Sequence, residues 1–222
     1  MRDTFQRELT TLSSGVVRMA SQVKEMTYLA VEALRNQDIA LADQVIHLDQ
    51  AVDKSEAELE EQCLKLLALQ QPVAKDLRFV GAVLKMLTDL ERAGDQAAHV
   101  AEAAVVLAKE PLLRPYTDIV HVRDVLVKMA DAAVTAFLEQ KLDAAREVYR
   151  LDDIVDDIYH QAQRGLLTYM LEDPRTIGRA IVIMNLLRAL ERLGDHLENI
   201  AERIEYLITG RRGSAHQPPE AT

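Results

Sequence analysis

Apolar residues recur every three or four positions along nearly the whole chain, and no stretch alternates convincingly between apolar and polar residues. This spacing puts the apolar side chains on one face of an α-helix. Residues with turn chemistry interrupt the pattern at 36–38, 70–72, 110–117, 141–143 and 172–174. The chain is therefore predicted to be all-α, with six helices and no sheet.

The break at 110–117 carries two prolines and is the predicted domain boundary. We expect a first antiparallel three-helix bundle over residues 1–112 and a second over 113–209. Residues 210–222 are predicted to be a flexible tail, because glycine, proline and small polar residues cannot build a core. Pro72 and Pro174 are both expected in the first turn of the helix that follows them.

The two halves repeat each other. "HLDQAVDKSE" at 47–56 resembles "RLDDIVDDIY" at 150–159, with an offset of 103 residues. "DLERAGDQAAHVAE" at 89–102 resembles "ALERLGDHLENIAE" at 189–202, with an offset of 100 residues. Duplication of a three-helix unit explains both matches.

The repeated segments carry acidic residues that an antiparallel hairpin brings to one level. In each half, two carboxylates before the turn and two after it lie equally far from that turn. They are Asp49, Asp53, Glu91 and Asp95 in the first half and Asp152, Asp156, Glu191 and Asp195 in the second. Heptad positions put both acid pairs of a half beside the helix seam.

Converging carboxylates repel one another unless a cation lies between them. Their oxygens are hard ligands that suit iron, manganese, magnesium or calcium, and zinc also accepts them. These eight residues are therefore predicted metal ligands. The alternative is a solvated acidic surface that pairs with neighbours such as Arg92 and Arg192.

Gly94 and Gly194 lie inside these helices, where glycine costs about 1 kcal/mol relative to alanine. Both fall at seam positions of the heptad. We expect the missing side chain to let neighbouring helices approach closely.

The net charge of −10 over 222 residues argues against a nucleic-acid-binding surface. The first residues lack the apolar core of a signal peptide, and the apolar stretch 180–187 is too short to span a bilayer. The single Cys63 agrees with a reducing compartment. These features predict a soluble cytoplasmic protein. Phosphate loops, nucleophile elbows and H-E-x-x-H motifs are missing from the sequence, which favours a non-enzyme.

"DLERAGD" and "ALERLGDHLENIAE", together with "LALQQPVAKDLRFV" at 67–80 and "MRDTFQRELTTL" at 1–12, resemble the PhoU family of phosphate-signalling proteins. The resemblance implies two three-helix bundles related by pseudo-twofold symmetry, with metal held by the E/D-x-x-x-D carboxylates. Iron or zinc is the first expectation, and manganese or magnesium the second. His99 and Ala93 depart from the second half, where Asn199 and Leu193 stand, so the two sites need not be equivalent.

The resemblance also implies negative regulation of the phosphate-starvation response and of phosphate uptake. The implied partners are the ATPase subunit of a phosphate ABC transporter and a phosphate-sensing histidine kinase, with membrane contact only through them. A homodimer is expected. A metal-dependent hydrolase, a metal store and a metal-free helical scaffold remain the alternatives.

Overall fold

The computed structural model describes residues 2–109 and 116–211, and these ranges contain six long α-helices and no strand. The helices are α1 (Arg2–Asn36), α2 (Ile39–Gln70), α3 (Ala74–Leu107), α4 (Tyr116–Glu139), α5 (Leu142–Glu172) and α6 (Ile177–Thr209). A short 3₁₀ helix, Pro174–Thr176, precedes α6. The all-α prediction is therefore confirmed.

Local chemistry sets where several helices begin. Asp38 caps α2 by accepting a hydrogen bond from the Leu41 amide at 3.0 Å, and Asp173 accepts one from the Arg175 amide at 3.1 Å. Pro174 is the first residue of the 3₁₀ helix, as its fixed φ favours. The expectation for Pro72 is wrong, because α3 begins two residues later at Ala74 and Pro72 lies in the turn.

Each half is a three-helix bundle. In the first, α1, α2 and α3 contact one another, and in the second α4, α5 and α6 do the same. The two halves pack mainly through α3 against α6, the most extensive helix contact among the described residues, and also through α1 against α4. Helices α2 and α5 therefore lie on opposite flanks of the molecule.

Polar contacts show how the bundles are oriented. Lys24 pairs with Asp131 at 2.6 Å. Glu32, later on α1, pairs with Arg123, earlier on α4, so α1 and α4 run antiparallel. An antiparallel contact between equivalent helices is what a twofold relation requires. The two tandem bundles related by pseudo-twofold symmetry are thus confirmed.

Apolar side chains from all six helices form the core. Met19, Met26, Met86 and Met129 are almost completely inaccessible, as is Cys63. Straight, flexible methionine side chains fill the irregular space between long helices. Burial raises the pKa of the Cys63 thiol to about 12, which makes it unreactive.

The predicted boundary between residues 112 and 113 lies outside the described residues. Of the predicted tail 210–222, only residues 210 and 211 are described, and Gly210 caps the end of α6. Within the described ranges, no helix combines the length and the apolar character that crossing a membrane requires.

Arg123 is a buried charged residue that links the two bundles. It is 6% exposed, its guanidinium pairs with Glu32 and Asp124, and it stacks 4.7 Å from the centre of the Tyr28 ring. Because Asp124 is itself exposed, Glu32 is the partner that compensates the buried side of the charge.

We predict that Glu32→Ala lowers the free energy of unfolding by about 1–3 kcal/mol, since it leaves a buried guanidinium short of a charged acceptor. Urea unfolding followed by circular dichroism measures this. Glu58→Ala is the control, because Glu58 pairs with Lys54 at the surface and such pairs contribute little. Equal effects of the two substitutions would refute the interpretation.

Candidate functional site

Three of the predicted ligands of the first half converge in the seam between α2 and α3. One oxygen each of Asp49, Asp53 and Asp95 can be chosen so that all three lie within 4.8 Å of one another. Asp49 and Asp53 are one turn apart on α2, and Asp95 faces them from α3. The fold thus brings together carboxylates that are distant in the chain, as their equal separation from the turn predicts.

Asp49 is the innermost of the three. Burial first, and then the charges of Asp53 and Asp95, raise its pKa to about 6. Its Oδ1 is buried and accepts no hydrogen bond from the described residues. A buried carboxylate oxygen without a donor is costly, so this oxygen is suited to a cation.

Glu91 lies next to this cluster without belonging to its closest trio. Burial and the neighbouring Asp95 raise its pKa. Arg92 pairs with Glu91 at 3.3 Å and with Asp95 at 3.5 Å, so the alternative of an acidic surface neutralised by arginine describes part of the first half. It does not describe Asp49, whose inner oxygen has no such partner.

Asp152 occupies the same place in the second half, and it is only 8% exposed. Burial, followed by the charges of Glu198, Asp156 and Asp195, raises its pKa to about 8. Its Oδ1 is also buried and accepts no hydrogen bond from the described residues.

Glu191 and Asp195 of the second half also have raised pKa values. Burial is the first cause for both Glu191 and Asp195, and the charge of Asp156 adds to it in each case. Among the described residues, these groups do not converge as closely as the trio of the first half. The two halves therefore have corresponding acidic residues, and the innermost aspartate of each has a raised pKa. They differ in the distances between the carboxylates, which are shorter in the first half.

The glycines explain how these carboxylates fit. A Cβ on Gly194 would lie 2.7 Å from Asp152 Oδ1 and 3.5 Å from Leu126, and a Cβ on Gly94 would lie 3.3 Å from both Asp49 Oδ1 and Val52. Neighbouring helices therefore pack closely against both glycines, and a side-chain carboxylate is among the nearest groups in each case. Each glycine vacates the space that an inward-facing aspartate occupies.

Sequence reasoning missed two acids whose negative charges raise the pKa values of predicted ligands. Glu198 gives the largest charge effect on Asp152, and Glu56 raises the pKa of Glu91. Both follow a predicted ligand by three residues on the same helix, so the i,i+3 rule could have identified them. His99 was left out of the site, yet its charge lowers the pKa of Asp49.

The chain matches known proteins over both halves. Residues 16–104 and 119–204 match the PhoU domain. The chain is 42% identical to the phosphate-specific transport system accessory protein PhoU homolog of Deinococcus radiodurans over 212 residues, which covers 96% of this chain and all of that protein.

Two crystal structures share the fold. PhoU from Pseudomonas aeruginosa superposes with a TM-score of 0.90 at 40% identity, covering 93% of this chain and 100% of that one. The phosphate transport system regulatory protein PhoU from Streptococcus pneumoniae superposes with a TM-score of 0.88 at 28% identity, covering 95% and 99% respectively.

The raised pKa values predict how stability depends on pH. Asp152 and Asp49 bind a proton more tightly in the folded than in the unfolded chain, so their contribution to stability is lost as pH rises from about 4 towards 8. We expect Asp152→Asn, in the presence of a chelator, to reduce the fall in Tm between pH 5 and pH 8. Asp157→Asn, at an exposed position of the same helix, is the control and should leave the fall unchanged.

A second prediction concerns Gly194. In an Asp152→Ala background, Gly194→Ala should stabilise the protein by about 1 kcal/mol through helix propensity. With Asp152 present the gain should disappear, because the new methyl group collides with the carboxylate. The unfolding free energies of the four proteins give the coupling. Gly81→Ala should be favourable in both backgrounds, since nothing lies within 4 Å of its Cβ position. Additive effects at Gly194 would contradict the steric account.

Proposed function

The chain belongs to the PhoU family, and we propose that it is a negative regulator of phosphate uptake and of the phosphate-starvation response. The family is one of accessory and regulatory proteins of phosphate transport. The observation that supports this role most directly is the match of both repeats, and of nearly the full length, to the relative from Deinococcus radiodurans.

We further propose that the carboxylates of each half hold metal ions, iron or zinc in the first place and manganese or magnesium in the second. The ligands would be Asp49, Asp53, Glu91 and Asp95 in one half and Asp152, Asp156, Glu191 and Asp195 in the other. The buried Oδ1 atoms of Asp49 and Asp152, which lack a donor among the described residues, support this assignment. A bound cation supplies positive charge that offsets the mutual repulsion of the carboxylates.

The acidic charge of the protein indicates the kind of partner that it binds. The protein carries a net charge of −10, and its acidic groups complement basic surfaces. We infer that it binds the ATPase subunit of a phosphate ABC transporter and a phosphate-sensing histidine kinase. Membrane contact would arise only through these partners, in the cytoplasm, and we expect the protein to act as a homodimer. Binding would favour the phosphate-replete states of both partners.

In this proposal the metal stabilises the structure and neutralises the carboxylates, and the protein is not an enzyme. The alternative is a metal-dependent hydrolase or a metal store. A hydrolase would turn over phosphate esters and lose that activity in a Glu91→Gln, Glu191→Gln variant, whereas the adaptor shows no turnover in either form.

Metal content tests the ligand assignment. We predict that protein purified without added metal contains iron or zinc by elemental analysis, and that Asp95→Asn with Asp195→Asn reduces the content to background. A metal present at about 100 times its Kd should raise the unfolding free energy by about 2.7 kcal/mol per site in the wild type only. Asp157→Asn should keep both properties, and metal-free wild-type protein would refute the sites.

The regulatory role is tested in a bacterial strain that lacks its own PhoU-family gene. We predict that the wild-type chain restores repression of phosphate-starvation genes in phosphate-rich medium and retains the kinase and the transporter ATPase in pull-down. The Asp95→Asn, Asp195→Asn variant should restore neither. Full repression without retention of either partner would contradict the adaptor mechanism.

A further inference from the structure

A groove of about 370 Å³ lies between α3 and α6. Its size falls within the range of about 300–1,000 Å³ that small-molecule sites occupy. Both helices contribute polar side chains to it. They are Gln96, His99 and Glu102 from α3 and Asn185, Arg188 and Arg192 from α6.

The two arginines are one helical turn apart, and both are exposed. Each lowers the pKa of Glu191 from a distance, but neither forms a salt bridge with another residue of the described ranges. The first half differs, since Arg92 pairs with Glu91 and Asp95. Two guanidinium groups therefore keep their donors available on one side of the molecule.

The groove is not a necessary result of the fold. Through the 100-residue offset, Ala189 corresponds to Asp89 and Gln96 corresponds to His196. Asp89 and His196 pair at 3.2 Å on the related side of the α3–α6 interface. On the groove side, a methyl group and a neutral amide stand in place of that polar pair.

We propose that this groove binds a tetrahedral oxyanion, specifically a phosphate group, through Arg188 and Arg192. The forked guanidinium donors match phosphate oxygens in pairs. Asn185, Gln96 and His99 add donors from both walls, and this number suits the four oxygens of phosphate better than the two of a carboxylate. The ligand is either inorganic phosphate or the phosphate group of a larger molecule.

Glu102 is the one carboxylate among the described residues that line the groove. Its negative charge repels an anion, so the phosphate group would lie nearer to α6, beside the two arginines. This proposal does not depend on the adaptor role or on the carboxylate metal sites, because none of the eight predicted ligands lines the groove.

An NMR titration of the chelator-treated, ¹⁵N-labelled full chain tests the site. Inorganic phosphate, phenyl phosphate and acetate are the probes, and shifts are followed at the arginine Nε–H and groove backbone signals. We expect a phosphate probe to shift these signals and Arg188→Gln with Arg192→Gln to weaken binding at least about tenfold. Arg146→Gln with Arg150→Gln is the matched control, an exposed pair with the same spacing on α5 that should change nothing.

Glu102→Gln gives an independent test, since removing the repulsion should tighten binding severalfold even if the double arginine variant does not fold. Response to inorganic phosphate alone identifies the free ion, and a stronger response to phenyl phosphate identifies a larger phosphorylated ligand. An equal response to acetate, or no response to any probe, would overturn the proposal. So would signal shifts confined to residues after 209, or binding that requires added metal and is unchanged by the arginine substitutions.

Discussion

The desolvated charge of an aspartate inside a helix seam is the constraint on which the site depends. Asp49 and Asp152 each turn a carboxylate oxygen toward the backbone of the next helix, where no described residue donates a hydrogen bond. Burial is the largest cause of their raised pKa values, and neighbouring acids add to it. Well-packed apolar helices on both sides keep these oxygens in place, because the bundle cannot rearrange without losing core contacts.

The two halves respond to the same constraint in different ways. In the first, Arg92 pairs with two of the acids and the aspartates lie close together. In the second, the corresponding Arg192 faces a groove and Asp152 is more deeply buried. An internal duplication has thus kept the positions of the acids while the surrounding charges diverged.

Much of this arrangement could be predicted from the sequence. The helical period and the turn residues gave all six helices, and counting outward from the turns placed Asp49, Asp53 and Asp95 together. The neighbours of the two glycines could not be predicted from the sequence. A heptad pattern assigns Gly194 to a seam but does not specify which atom fills the space beside it. The Arg123–Glu32 pair and the α3–α6 groove were also missed, because helical periodicity does not specify how one bundle packs on the other.

The antiparallel packing of α3 on α6 has a geometric consequence. Asp89 of α3 contacts His196 of α6, so Glu91 and Asp95 stand at nearly the same height as Glu191 and Asp195, within about one helical turn. The packing of α3 on α6 therefore fixes how the two acidic groups lie relative to each other. Rotating one bundle against the other would break this packing, so the separation of the two acidic groups is tied to the integrity of the core.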